Sequence, residues 1–225
     1  FRVEGLKPQL WDAVTGEIKE LSDYTVVDGR TSIPLKMEVD RSWFVVFSNA
    51  SNDLVEKATT ENTPAYQVAQ TIDTSWEINF ESKNIAPKTI TASELMDWSK
   101  SEDDLLKYYS GKANYTTTFT YQKSDAQDVV IDLGEVGVMA TVTLNGKDVG
   151  TSWIAPYRLN ITDALQEGEN KLEIKVVNVW RNRLTGDKAL PLEERTTSVL
   201  VDLITPAEEM ISSGLIGPVT IRVVE

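Results

Sequence analysis

The chain has 225 residues, 41% hydrophobic and 25% charged, with 22 basic against 35 acidic side chains and a formal net charge of −13. Such a surface repels phosphate backbones and anionic membranes, which argues against nucleic-acid and membrane partners, while neutral and cationic ligands remain open. The sequence contains no Cys and no His, which removes disulfides, thiol nucleophiles, histidine general bases, Ser-His-Asp triads and most zinc sites together.

The first residues read as short strands and tight turns. Gln9–Val14 and Glu17–Leu21 flank Thr15-Gly16, which predicts a hairpin, and Tyr24–Val27 leads through Asp28-Gly29 to Ser32–Met37. Trp43 to Phe47 is an unbroken apolar run, which predicts a strand covered on both faces. So few residues bury little on their own. Residues 1–55 are therefore expected to be a small β segment, the end of a preceding β-sandwich. Residues 49–70 are polar and aperiodic and read as a linker.

A second body is expected over 70–225. Ile72, Trp76, Ile78 and Phe80 share one parity, a loop is predicted over Asn84–Ser93, and Leu95, Met96 and Trp98 form an apolar patch. Ser101 and Asp104 have the spacing of a capping box, which predicts a helix over Glu102–Tyr108. Glu102-Asp103-Asp104 offers oxygens to a structural calcium, or simply favours the positive end of that helix.

In Ala113–Tyr121 the odd positions Ala113, Tyr115, Phe119 and Tyr121 alternate with Asn and Thr. Val138, Ala140, Val142 and Leu144 form the next apolar row, and Asn145-Gly146 follows at once, the pair that suits a type I′ turn. That turn predicts Leu144 opposite Lys147 and Val142 opposite Val149. Leu172, Ile174 and Val176 form a further half-buried strand. Arg183–Thr196 reads as an irregular charged loop, of a length often associated with function. Val199–Ile204 is expected as a strand, Pro206–Ile211 as a helical turn, Gly214–Gly217 as a bend, and Val219, Ile221 and Val223 as the closing strand. Alternating strands joined by turns predict an all-β antiparallel sandwich with little helix.

The chemistry readable from single residues is sparse. No spacing singles out a pair of carboxylates for glycosidic cleavage. Asn49, Asn114 and Asn160 head formal glycosylation triplets, of which Asn114 and Asn160 fall in or beside strands. Trp180-Arg181-Asn182-Arg183 is the candidate site, with Asp187 behind it. Asn178 and Trp180 take the core-facing parity, so Asn178 needs hydrogen-bond partners. An aromatic at a strand end stacks on a sugar ring, and Arg181, Asn182, Arg183 and Asp187 bind hydroxyls. The alternative is a packed tryptophan beneath a salt-bridged loop.

These residues also carry a family resemblance. Gly111-x-Ala113-x-Tyr115, Asp132–Gly134, Val142 to Trp153 (V-x-LNG-K-x-VGT-x-W), Pro156-Tyr157, Asn160–Thr162, Gly168-x-Asn170-x-Leu172, Asn178 to Asp187 (N-x-W-x-NRL-x-GD) and Ser213 to Val219 (SGL-x-GPV) occur in that order. This order resembles the galactose-binding-like jelly roll of glycoside hydrolases. It is similar to the sugar-binding domain of family 2 and closer still to the carboxy-terminal part of family 106, the α-L-rhamnosidases. Pro8 to Gly16 and Leu35 with Ser42 to Phe47 resemble the sequence just upstream in that family.

The resemblance implies a non-catalytic module of a secreted or periplasmic bacterial glycosidase, because the catalytic carboxylates of such enzymes lie on a separate barrel domain. Its partners would be that catalytic domain and carbohydrate, and no cofactor is implied. In family 2 an aspartate in the loop after the strand matching Leu172–Trp180 reaches the active site and its ion, and Asp187 is the matching position. An autonomous carbohydrate-binding module and a purely structural domain remain the alternatives. The start at Phe1 rather than Met reads as a mature form or a piece of a larger polypeptide.

Overall fold

The computed structural model describes residues 1–38, 41–49, 62–63, 65–81, 89–122, 128–200 and 210–224. It comprises two compact units, Phe1–Tyr66 and Gln67–Val224.

In the first unit, β1 (Lys7–Asp12) lies between β2 (Ile18–Glu20) and β5 (Trp43–Ser48), both antiparallel to it. The hairpin at Thr15-Gly16 is present: Gly16 takes φ +76° and its N–H donates to the Asp12 carbonyl at 2.9 Å. A second hairpin joins β3 (Thr25–Val27) to β4 (Arg30–Ser32) through Asp28 and Gly29, both at positive φ. The second strand of that hairpin thus ends at Ser32, where the sequence pattern began it. Pro34 has no N–H to extend the ladder. The apolar run in β5 is not covered on both faces among the described residues of this unit, since β5 is an edge strand and Phe44 is 64% exposed.

The second unit is an antiparallel sandwich. Its larger sheet has six strands: β7 (Trp76–Phe80), β8 (Ile90–Ala92), β9 (Lys112–Tyr121), β12 (Met139–Leu144), β13 (Lys147–Ser152) and β15 (Gly168–Val177). Their order is β13-β12-β15-β9-β7-β8. The facing sheet runs β14-β10-β17-β6, built from β6 (Tyr66–Thr71), β10 (Val129–Asp132), β14 (Arg158–Asn160) and β17 (Thr220–Val224). A two-stranded ribbon pairs β11 (Glu135–Gly137) with β16 (Gly214–Gly217). The two inner faces meet through the rows the alternation predicts. Ala113, Tyr115, Phe119, Ala140, Val142, Leu144, Leu172, Ile174 and Val176 pack with Val129, Ile131, Val219 and Ile221 in one buried cluster.

Several expectations change. Residues 66–71 form an edge strand, not linker; because β6 is mostly exposed it needs no apolar row. Residues 214–217 are a strand, not a bend. Val138 leaves the apolar row: the chain crosses from the ribbon to the large sheet between Gly137 and Met139, and Val138 is exposed there. The type I′ turn forms, with Asn145 at φ +54°, Gly146 at φ +79° and Leu144 opposite Lys147. A bulge then intervenes, so Val142 pairs with Gly150 rather than Val149. The predicted helix over 102–108 shortens to α1 (Asp104–Lys107). Asp103 caps it by accepting the Leu105 N–H at 2.9 Å, and Ser101 instead accepts from Asp103 N–H. Residues 201–209 and 82–88, with most of the strand and helical turn expected between Val199 and Ile211 and part of the Asn84–Ser93 loop, lie outside the described residues; Val199 and Leu200 are not in a strand, Met210 and Ile211 not in a helix, and Ile90–Ala92 of the expected loop is β8.

At one end of the sandwich, Trp98 is fully buried among Phe80, Tyr109 and Tyr115, with ring centroids 5.3, 5.5 and 6.1 Å away. Gly214, at φ +91°, lies against the indole; a Cβ there would come within 2.6 Å of it.

Candidate functional site

The site begins where β15 ends. Asn178 keeps the core-facing parity and is buried. Its amide clamps the start of β9: Nδ2 donates to the Tyr109 carbonyl at 2.8 Å and Oδ1 accepts the Gly111 N–H at 2.7 Å. The partners that its burial demands are therefore supplied by backbone. The Val179 carbonyl accepts from Ser110 Oγ at 2.9 Å.

Trp180 abandons strand geometry. It takes αR dihedrals and is the N-cap residue of α2 (Arg181–Lys188), accepting the Leu184 N–H at 3.0 Å. Its side chain is 57% exposed, which overturns both the core-facing parity and the packed-tryptophan alternative. The segment from Arg183 onward is likewise helix to Lys188, followed by a 3-10 turn at Leu192–Glu194, not an irregular loop. One face of α2 is buried through Asn182, Arg183, Gly186 and Asp187. Gly186 allows the approach, since a Cβ there would lie 2.5 Å from the Tyr108 ring.

The buried polar side chains are each spent inside the chain. Asn182 brackets Ile211, donating to its carbonyl at 2.6 Å and accepting its N–H at 2.9 Å. Arg183 is paired with Asp187 one turn later at 2.6 Å, with side chains 8% and 3% exposed. Among the described residues Arg183 Nε is buried without a hydrogen-bond partner, so this guanidinium relies on Asp187 for its charge balance. Asp187 also accepts the backbone N–H groups of Thr196 and Thr197 at 3.0 and 2.7 Å, and both threonine hydroxyls. A carboxylate offers about four acceptor sites, so Asp187 has none left for a ligand in this conformation. Burial opposes its charge, but the Thr197 and Thr196 hydrogen bonds and the Arg183 guanidinium outweigh it and hold its pKa below the ordinary carboxylate range.

A second buried carboxylate supports the same end. Asp97 Oδ1 accepts from Ser99 N–H, Ser99 Oγ and Ser213 N–H at 3.0, 2.7 and 3.0 Å. Here too burial is outweighed by hydrogen bonds from Ser99, Ser213 and Ser212, and the pKa is lowered. Ser110, Thr197 and Asp97 went unremarked in the sequence; Ser110 and Asp97 reach Val179 and Ser213, 69 and 116 residues away, which no local spacing reveals. Of the five candidate residues, then, Arg183 and Asp187 are buried and paired with each other, Asn182 is buried against Ile211 and Ser213, Arg181 is half-buried, and Trp180 stands in solvent. In the Glu102-Asp103-Asp104 triplet, Asp103 serves as the α1 cap. Among the described residues no group of three or more acidic side chains converges as a cation cage, and no helix is long and apolar enough to cross a membrane.

Comparison with known proteins agrees with this architecture. A rhamnosidase from Novosphingobium sp. PP1Y superposes with a TM-score of 0.86 and 37% identity, covering 99% of this chain and 21% of that one. A Formosa agariphila protein named as a β-glucuronidase is 39% identical over 175 residues, 66% of this chain and 15% of that protein. An uncultured Clostridium β-glucuronidase is also similar, with a TM-score of 0.49 and 19% identity over 74% of this chain and 30% of that one. The chain thus spans only 15% and 21% of the first two relatives. Residues 66–204 match the model described as the glycosyl hydrolase 2 galactose-binding domain-like family, and the chain belongs to that family.

Proposed function

We propose that this chain is a non-catalytic sandwich module of a bacterial glycosidase that is exported and acts on rhamnose-containing glycans. The module braces the catalytic domain and presents Trp180 to the sugar, with Arg181 beside it. Asn182, Arg183 and Asp187 act as positioning residues, fixing α2 so that the indole stays presented. The observation that carries the reading is the 99% overlap of this chain, at 37% identity, with one section of a rhamnosidase. Exposure of a large apolar ring on a rigid frame supports the local role, because an indole left in water contributes little to folding.

The test uses the longer glycosidase that carries this sequence. Trp180→Ala is expected to raise KM at least about tenfold on a rhamnoside polymer while leaving thermal stability in place. Unchanged kcat/KM would exclude a sugar contact at Trp180. Recovery of the enzyme in the cytoplasm rather than in the periplasm or medium would exclude the export assignment.

A further inference from the structure

Trp180 is not the only exposed indole at its end of the sandwich. Trp153 follows β13 directly and is 54% exposed. Ser152, the last residue of β13, is buried opposite Ala140 of the inner row. Ala140 adjoins Met139 on β12, and Met139 in turn pairs with Val177 at the end of β15, so the chain carrying Trp153 leaves β13 at the end of the sheet where β15 ends. Trp180 begins the helix that follows β15. Two strand spacings, about 10 Å, thus separate the β13 and β15 ends on which the two tryptophans are carried. Val138 and Val179, both exposed, lie along the same rim.

The outer face of the adjoining sheet is polar and charged. Thr141, Thr143 and Thr151 lie on it in β12 and β13, the Thr141 and Thr151 hydroxyls meet at 2.8 Å, and Lys175 and Glu173 of β15 stand across from Thr141 and Thr143. The apolar rim is too small to be a protein interface, which engages roughly 20–30 residues a side; here four apolar residues are exposed. Beside hydroxyls and a Lys175–Glu173 row of opposite charges, two indoles suit a ligand that has no net charge, apolar C–H faces and many hydroxyls to donate and accept hydrogen bonds. A short neutral oligosaccharide has that chemistry, and it meets no penalty from a chain of net charge −13.

We propose that Trp153 and Trp180 form a two-indole stacking platform for a neutral oligosaccharide, so that the sugar contact assigned to Trp180 extends across the end of β12 to Trp153. This rests on the function proposed above but adds a subsite that the chain itself should display. The test is a fluorescence and calorimetric titration of the full 225-residue chain with a soluble rhamnose-containing oligosaccharide at millimolar concentration. Saturable binding is expected, with Trp153→Ala and Trp180→Ala each weakening it at least about tenfold and Trp153→Phe retaining most of it. Loss in Trp180→Ala alone would overturn the platform while sparing the Trp180 site. Absence of any binding by the chain would also overturn the platform, and the role of Trp180 in the longer enzyme would then stand or fall on the kinetic test above. Should either alanine variant fail to fold, oxidation of the wild-type indoles by N-bromosuccinimide, mapped by mass spectrometry, decides: sugar is expected to protect both residues, and unprotected Trp153 overturns the platform.

Discussion

The hairpin half of the large sheet and the α2 segment end at the same place but are held together in opposite ways. In β12 and β15 the inner row runs through Ala140, Val142, Leu144, Leu172, Ile174 and Val176, all buried hydrocarbon, with the buried amide of Asn170 only at its far end. In α2 the buried face is Asn182, Arg183, Gly186 and Asp187, with no hydrocarbon side chain among them. The first region is stabilised by area removed from water, which is additive and tolerant of shape. The second depends on pairings that are satisfied together or fail together. The contrast predicts where damage stays local and where it spreads.

The largest effect is expected at Asp187. Replacing it with Ala leaves the buried Arg183 guanidinium without its counter-ion and frees the Thr196–Thr197 backbone. Breaking a buried pair in this way costs about 3–5 kcal/mol. Urea unfolding should show that loss, and hydrogen exchange should place the new mobility at residues 189–197. An unaltered exchange pattern there would mean that the carboxylate does not strap the loop.

The same group predicts a pH response. Its native pKa is lowered, so its contribution is fully present above the ordinary carboxylate value. It is lost as pH falls through the lowered native value, in the window below about pH 4. Asp97 adds a contribution of the same sign. Stability measured from pH 6 to pH 2 should fall more steeply for the wild type than for Asp187→Asn. Parallel curves would remove Asp187 from the account.

Ile174→Ala probes the other region. The residue is fully buried at the centre of the large sheet, so about 2–5 kcal/mol should be lost through transfer and cavity terms. The distinguishing feature is uniformity: denaturation followed by several probes should remain one transition, with no selective exposure of residues 189–197. A comparable loss confined to α2 would reverse the contrast.

The contrast also explains what was legible beforehand. Alternation over Ala113–Tyr121 and Leu172–Val176 and the Asn145-Gly146 turn describe the sheet because apolar burial writes itself into sequence at period two. The bulge beside Gly150 carries no such mark, and it moved the partner of Val142 by one residue. Helix α2 was unreadable for a related reason. Its buried face is polar, so no apolar stripe of period 3.6 exists, and its one local sign is the Arg183–Asp187 spacing. The need of Asn178 for partners followed from its parity, but those partners, Tyr109 and Gly111, lie 69 and 67 residues away in the chain. Trp180 was misplaced because strand parity was carried past Val177, where the strand has already ended.

Gly186→Ala should have a smaller, intermediate effect. The added methyl would sit 2.5 Å from the Tyr108 ring, so helix or ring must shift, at about 1–3 kcal/mol for overpacking. Because α2 is docked on that ring, the shift should also change Trp180 emission. A stability loss without a spectral change would show that Tyr108 alone yields.

The smallest stability effect belongs to the residue of greatest proposed consequence. With 57% of its surface in water, Trp180 has little burial to lose. Its part in α2 is made by its backbone carbonyl to Leu184 N–H, which Ala retains, and its side chain makes no capping hydrogen bond to lose. Trp180→Ala should therefore stay within about 0.5 kcal/mol of the wild type in urea. A loss of several kcal/mol would mean that the indole packs as part of the frame. A near-neutral result combined with weakened sugar binding would separate presentation from support: α2 would be the frame and Trp180 the group it displays.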